Sequence, residues 1–372
     1  MKKKLLITID TIKPMVDGVS TFLDRIIPHL KQVYDITVIA PDYGNPDYPD
    51  VRILKYPVVK LQSNGYGPPK TSLKWIKMIK KEVKKCDLVF NNESVSPYLN
   101  AYIFAMRYCR KYKKPFFTYV HSIDWELFPE VTYIPEFIRK TGKYILSKYA
   151  RWCLNNKNNI IIVSFPTIAE ILKNINVKGQ IEFAPIGISE IFKPGDSKYA
   201  FKDKIVLGYA GRVSREKGLI VLWNIYKKLL QKYDNLHLLI VGEGPEKVIF
   251  ERIKNVTTTG FVSPEEVAEY YRAMDIFVLP SFTEANSLST LEALKSGVCC
   301  VTRNVGAIKD YLKNDYNGYV FEIDEELEEI LKKLIEDEKL LKRLKNNASK
   351  SVQEYTWENT SNHLINIFNK YM

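Results

Sequence analysis

Cysteine is sparse and not arranged for chemistry. The five thiols, Cys86, Cys109, Cys153, Cys299 and Cys300, include no C-x-x-C pair and sit in apolar or helical runs. An odd, scattered set predicts buried free thiols in a reducing compartment, not a disulfide framework. Histidine is scarcer, four in 372 residues, which leaves no zinc set. Aspartates never fall two apart, so a D-x-D clamp for a divalent cation is missing, and no metal is expected. No apolar run nears the roughly 20 residues of a membrane span. The lysines of "MKKKLLITIDTIKP" precede an apolar run too short for a signal-peptide core. That stretch predicts a buried first strand and a cytoplasmic chain. No low-complexity tract is present.

Acidic residues are short in the first half. Residues 1–180 hold 29 Lys+Arg against 15 Asp+Glu, a net of +14, and the remainder holds 26 against 28, a net of −2. A basic half of this kind predicts an anionic partner. No RNP-like, zinc-finger or helix-turn-helix signature supports nucleic acid. A membrane surface or an acidic glycan remains.

Short β-branched apolar runs alternate with amphipathic stretches. "LLITI", "ITVIA", "DLVFN", "PFFTYVH" and "NIIIVSF" read as buried strands, with helices over 19–33, 71–85 and 98–112 between them. The pattern restarts with "KIVLGYAG", "HLLIVGEG", "VTTTGFV", "DIFVLPS" and "CCVTRN". Alternation that runs twice predicts two α/β, Rossmann-like, doubly wound domains. The break falls near 185–203, where prolines and glycines interrupt any clean period. The leucine-rich, acidic 322–345 predicts a helix with one solvated side. In 70–85, "KTSLKWIKMIKKEVKK", the residues Leu73, Ile76, Ile79 and Val83 recur at helical spacing amid seven lysines. Such a stripe packs on a sheet in a doubly wound domain, and the lysines could face anionic lipid at the same time.

Two stretches carry the chemistry. In "LGYAGRVSREKGL" (207–219) a strand ends at Ala210, and Arg212 and Lys217 follow in the loop before a helix. Ligands of open parallel sheets bind at this carboxyl edge, and two cations there suit a diphosphate. In "PSFTEANSLSTLEALKSG" (280–297) Glu284 follows a strand, and small polar residues lead into a helix capped near Gly297. A helix opening near Asn286–Ser289 offers free N–H groups to an anion. Glu292 lies eight residues beyond Glu284, about 12 Å of rise if all of it is helix. The same interval recurs at Glu182/Glu190, Glu243/Glu251 and Glu328/Glu336. Spacing alone therefore does not single out the pair.

In order along the chain, "PMVDGVSTFL", "YVHS", "APIGISEIFKP", "YAGRVSREKGL", "LLIVGEGPE", "GFVSPEEVAEYYRAMDIFVLPS" and "EANSLSTLEALKSGVCCV" resemble the retaining GT-B glycosyltransferases of the family-four, group one, type. The resemblance implies two Rossmann-like domains facing a central cleft, over 1–187 and 188–355, and a C-terminal helix over 356–372 packing back on the first. It implies that Arg212 and Lys217 grip the donor diphosphate, Glu292 accepts from the ribose hydroxyls, and Glu284 contacts the transferred sugar. Main-chain groups near Val262 would meet the nucleobase, and N–H groups near Ser287 and Leu288 the phosphate or sugar. Gly18, in a glycine turn after the first strand, would let the backbone approach the diphosphate, and His121 would lie beside the sugar. It further implies metal-free, retaining transfer of a hexose from a UDP- or GDP-sugar to a glycan or lipid-linked acceptor, at the inner membrane face.

The family's Glu-Gly-Phe-Gly is here Glu284-Ala285-Asn286-Ser287, which adds Cβ atoms where backbone meets ligand. That change raises the alternative of a non-catalytic nucleotide-sugar-binding partner protein. Charge alone raises a nucleic-acid protein.

Overall fold

The computed structural model describes every residue except 1, 16, 45–47, 60–68, 94–99, 124–135, 200 and 252. The chain divides into two compact units, Met1–Gly187 with Trp357–Met372, and Ile188–Thr356.

In the first unit the described strands are β1 (Lys3–Ile9), β2 (Tyr34–Pro41), β3 (Arg52–Tyr56), β4 (Leu88–Asn92), β5 (Phe116–Tyr119), β6 (Asn159–Val163) and β7 (Gln180–Phe183). They pair in the order β3-β2-β1-β4-β5-β6-β7, all parallel. The described helices are α1 (Gly18–Val33), α2 (Leu73–Lys85), α3 (Ala101–Tyr112), α4 (Glu136–Leu154) and α5 (Pro166–Asn174). Inner strands such as β4 and β6 are buried along their whole length, as sheets covered on both faces require. The strand order reverses between β1 and β4, where Ile9 pairs with Asn92. This is the switch point at which doubly wound sheets open a crevice.

The stripe of α2 is rotated from the expected face. Trp75, Ile79 and Val83 are buried, but Leu73 stands in water. Glu82 is buried too and takes Arg52 at 3.0 Å.

The second unit contains β8 (Ile205–Ala210), β9 (Leu236–Val241), β10 (Val256–Thr258), β11 (Ile276–Leu279), β12 (Cys299–Arg303) and β13 (Gly318–Phe321), in the order β10-β9-β8-β11-β12-β13. Its switch point lies between β8 and β11. The helices are α6 (Leu219–Leu229), α7 (Pro264–Arg272), α8 (Leu288–Lys295), α9 (Ile308–Tyr311), α10 (Asp324–Glu336) and α11 (Glu338–Ala348). The single helix expected over 322–345 is two. Asp337 breaks it and caps α11 by accepting from the N–H of Leu340 at 2.9 Å.

The last helix, α12 (Trp357–Lys370), returns to the first unit and packs along α1. Phe368 meets Phe117 and Phe90 with ring centroids 4.7 and 5.1 Å apart.

Candidate functional site

The carboxyl edge of β8 opens into a short 3-10 turn, Arg215–Lys217, closed by Gly218. Gly218 has φ +67°, and a Cβ there would lie 2.3 Å from the carbonyl oxygen of Pro280. Only glycine allows the turn to press on the end of β11. The contact is pinned by Phe282 N–H to the Glu216 carbonyl at 2.9 Å and by Ser281 Oγ to the same oxygen at 3.1 Å. Residues from both sides of the switch point are thereby locked together.

Lys217 and Glu284 meet as a result. Lys217 Nζ donates to Glu284 Oε1 at 2.7 Å, with only 20% and 11% of the two side chains exposed. Glu284 is further held by the β12–α9 loop. Gly306, at φ +57°, brings that loop so close that a Cβ would lie 2.2 Å from the Glu284 carbonyl oxygen. The Ala307 N–H donates to the Ala285 carbonyl at 2.9 Å. Arg212 differs from Lys217. Its side chain is largely exposed and pairs with Glu216 at 3.4 Å. Glu216 is fixed in turn by Ser214 Oγ at 2.6 Å.

Ser287 stands before α8 with φ +44°, a left-handed conformation that favours glycine. It is the position where the family pattern has glycine, and the chain keeps the conformation without the residue. Ser287 Oγ and Thr290 Oγ1 lie 2.8 Å apart, and the Ser287 carbonyl accepts from Thr290 and Leu291 N–H. The first two N–H groups of α8, those of Leu288 and Ser289, have no carbonyl one turn back. The helix starts at Leu288, so the interval from Glu284 to Glu292 is not eight residues of helix, and the 12 Å rise does not apply. Gly297, at φ +80°, follows the capping residue Ser296.

Glu292 is half-buried within α8 and accepts from the Tyr271 hydroxyl at 3.2 Å. Val262 is half-buried in the segment leading to α7, beside Phe261, whose ring is almost wholly exposed. The other glutamates at the same interval serve the surface. Glu328 and Glu336 on α10 take Lys228 and Lys232 at 2.9 and 2.6 Å, Glu243 takes Lys247, and Glu182 takes Lys370. Context does separate the Glu284 pair from the rest.

His121 and Gly18 belong to the first unit. His121 follows β5, and its Nε2 lies 3.0 Å from Asn92 Oδ1. An amide oxygen only accepts, so this nitrogen carries the proton and Nδ1 is an acceptor. The ring packs against Phe22 and Tyr119, each with centroids 4.7 Å away, and burial pushes its pKa down to about 3. The imidazole is neutral at physiological pH. Gly18 is not in a turn after β1, as the sequence suggested, but is the exposed first residue of α1. Its neighbour Asp17 caps the helix, accepting from Ser20 N–H at 2.7 Å while Ser20 Oγ accepts from Asp17 N–H at 2.9 Å.

Sequence reading missed the groups beside His121. Asn92 ends β4 at the first unit's switch point, Glu93 follows it, and both are fully buried. Glu93 Oε2 accepts from the Tyr102 N–H at 3.0 Å, at the start of α3. Burial, then the nearby Asp10 charge, holds the Glu93 carboxyl well above the usual carboxylate range. Glu93 Oε1, Asn92 Nδ2 and Ser122 Oγ have no hydrogen-bond partner among the described residues. Single polar residues at strand ends form no motif, and only their shared position after apolar runs could have flagged them.

Two family descriptions match consecutive parts of the chain. "Glycosyltransferase Family 4" covers residues 16–190 and "Glycosyl transferases group 1" covers 194–351. The chain belongs to the group 1 GT-B glycosyltransferases. Among the relatives of this glycosyltransferase is the alpha-monoglucosyldiacylglycerol synthase of Acholeplasma laidlawii, 26% identical over 61% of this chain and 60% of that one. The first such curated relatives are matched over 38% to 60% of their own length. Two solved structures share the fold over 99% of this chain. One is a sucrose-phosphate synthase from Thermosynechococcus elongatus, with TM-score 0.77, 17% identity and 99% of that chain covered. The other is Anabaena HepE in complex with UDP, with TM-score 0.74, 16% identity and 100% of that chain covered. No helix among the described residues of this glycosyltransferase is long and apolar enough to cross a membrane.

Proposed function

We propose that this glycosyltransferase moves a hexose from a UDP- or GDP-sugar to a glycan or lipid-linked acceptor, with retention at the anomeric carbon. The observation that carries the reading is the Lys217–Glu284 pair at the switch point of the second unit, with exposed Arg212 and the opening of α8 on the same edge. A diphosphate gives Lys217 a second anion, and Arg212 closes on it bidentately. Glu284, held by the Glu284–Gly306 contact, accepts from sugar hydroxyls, and Glu292 from the ribose. Val262 and Phe261 flank the nucleobase. As the bond from the anomeric carbon to the diphosphate oxygen breaks, charge grows on that oxygen, and the two cations with the α8 N–H groups stabilise it. The acceptor oxygen bonds to the carbon on the vacated face, and its proton passes to the departing diphosphate. The first unit holds the acceptor at its own switch point, where neutral His121 offers Nδ1 as an acceptor. Gly18 offers a backbone N–H to an anion.

Support comes from a relative named for a glucosylated diacylglycerol and from a fold neighbour solved with UDP. The test is a melting-temperature screen with UDP, GDP and their common sugars, followed by proton NMR of the product's anomeric linkage with and without EDTA. Nucleotide binding followed by EDTA-insensitive transfer with retention is the expected result. Binding without transfer, unaffected by Glu284→Gln, points instead to a nucleotide-sugar-binding partner protein. Binding of no nucleotide overturns both readings.

A further inference from the structure

Helix α4 carries two apolar faces. Ala150, Cys153 and Leu154 are fully buried and attach it to the first unit. Phe137, Ile138, Tyr144, Ile145 and Trp152 are exposed, four of them by more than half. At 3.6 residues per turn these five fall within an arc of about 120°, on the side away from the buried three. A helix on a water-soluble surface needs only the buried stripe, and its opposite face is normally polar. A continuous exposed stripe of three aromatic and two aliphatic residues marks an interaction surface.

Charge decides what it meets. Residues 136–154 contain five Lys+Arg and one acidic residue, Glu136. Lys148 is exposed within the stripe, Lys140 is exposed and Arg151 partly exposed along its flank, while exposed Lys143 lies on the other side of the helix. Lys148 Nζ lies over the Tyr144 ring, 4.3 Å from its centroid. Tyrosine and tryptophan, with one wet end each, suit the boundary between headgroups and acyl chains, and lysine stems reach from there to phosphates. A second copy meeting face to face would set this net +4 helix against itself. An anionic surface pairs with it instead.

We propose that α4 is the surface by which this glycosyltransferase lies on an anionic lipid bilayer, its exposed stripe in the headgroup layer and its lysines on lipid phosphates. The proposal deepens the lipid-acceptor part of the function proposed above, but binding to lipid requires no catalysis. Helix α2 contributes exposed lysines without a comparable apolar stripe, since its own stripe is largely spent on the sheet.

The test is flotation of the full chain with phosphatidylcholine vesicles, with and without phosphatidylglycerol, in the absence of nucleotide. Wild type should float with the anionic vesicles and release at high salt. The combined Phe137→Ser, Ile145→Ser, Trp152→Ser variant should lose at least about tenfold in binding, with circular dichroism and melting unchanged because all three side chains are exposed. Brominated lipids should quench a tryptophan signal that Trp152→Phe removes while flotation persists. Undiminished flotation of the triple variant overturns the proposal. So does its loss in a variant of the α2 lysines alone, or a dimer that the triple substitution dissolves in place of any lipid binding. Vesicle binding without nucleotide binding would sink the proposed function alone. Nucleotide binding without vesicle binding would sink this inference alone.

Discussion

At the scale of the residue, Lys217 and Glu284 stand 67 positions apart in sequence and 2.7 Å apart in space. Each is mostly shielded, so removing one strands the other's charge. Lys217→Ala should cut transfer by about 10²–10³-fold, the effect of deleting one preorganised group that stabilises transition-state charge, and should raise the donor KM. Glu284→Gln should leave UDP or GDP binding within a few-fold and lower kcat. Initial-rate kinetics at varied donor concentration separate the two, and equal effects on kcat and KM from both variants would contradict the assigned roles. Glu93 gives a prediction of a different kind. Its folded pKa is raised, chiefly by burial, so its contribution to stability is full below the ordinary glutamate pKa and is lost as pH rises toward the folded value. Glu93→Gln, a neutral isostere of the protonated acid, should melt higher than wild type at pH 8 and alongside it at pH 4. His121 works in the opposite sense. With a folded pKa of about 3 it stays neutral while the unfolded chain takes up a proton below about 6.5, so its contribution to stability falls as pH drops through that window.

At the scale of the element, Gly306 shows how loops fix the site. A Cβ at 2.2 Å from the Glu284 carbonyl oxygen must displace one loop or the other, and φ +57° disfavours alanine in any case. Gly306→Ala should cost about 2 kcal/mol, lowering the second unit's melting temperature by roughly 4–8 °C, and should reduce transfer by shifting Glu284. A melt and an activity within error of wild type would show that the β12–α9 loop does not position Glu284. The inner strands were legible in sequence, because runs such as "NIIIVSF" are apolar on both faces and only a covered parallel strand uses them, whereas β3, β7 and β13, each at the edge of its sheet, were not read. Arg212, Lys217 and Glu284 were legible as residues after strands, but not as a contact, since the reversal of strand order that joins β8 to β11 leaves no local mark. Periodicity placed Ile79 and Val83 of the α2 stripe correctly and put Leu73 where Trp75, two positions on, is the buried residue, because both satisfy the spacing and packing chose the larger. It could not tell the exposed stripe of α4 from a core stripe, since hydrophobic spacing is identical whether a face meets a sheet or water. Asn92 and Glu93 were invisible for the converse reason, two polar residues that no pattern distinguishes from a loop until burial is known.

At the scale of the whole molecule, the chain leaves the first unit after Gly187 and returns to it at Trp357. The returning α12 brings Leu364, Ile367 and Phe368, all buried, against α1 and the aromatic side chains of β4 and β5. At about 1.5–3 kcal/mol for each large apolar side chain, the three contribute on the order of 5–9 kcal/mol, comparable with the whole stability of a domain. A chain ending at Thr356 should therefore lose the cooperative melting of the first unit, while the second unit, Ile188–Thr356, stays whole and should keep the UDP- or GDP-dependent melting shift proposed for it. The same truncation reaches His121. Trp357 packs edge-on to Phe22 with centroids 5.7 Å apart, and Phe22 packs edge-on to His121. Without that stack the ring regains water, and its NMR titration should move from about 3 up toward the ordinary histidine value near 6.5. A truncated chain whose first unit melts with wild-type cooperativity and whose His121 still fails to titrate would show that α12 only covers a core already complete. If both change together, the sixteen residues that return from the far end of the chain are what shield the His121 imidazole from water.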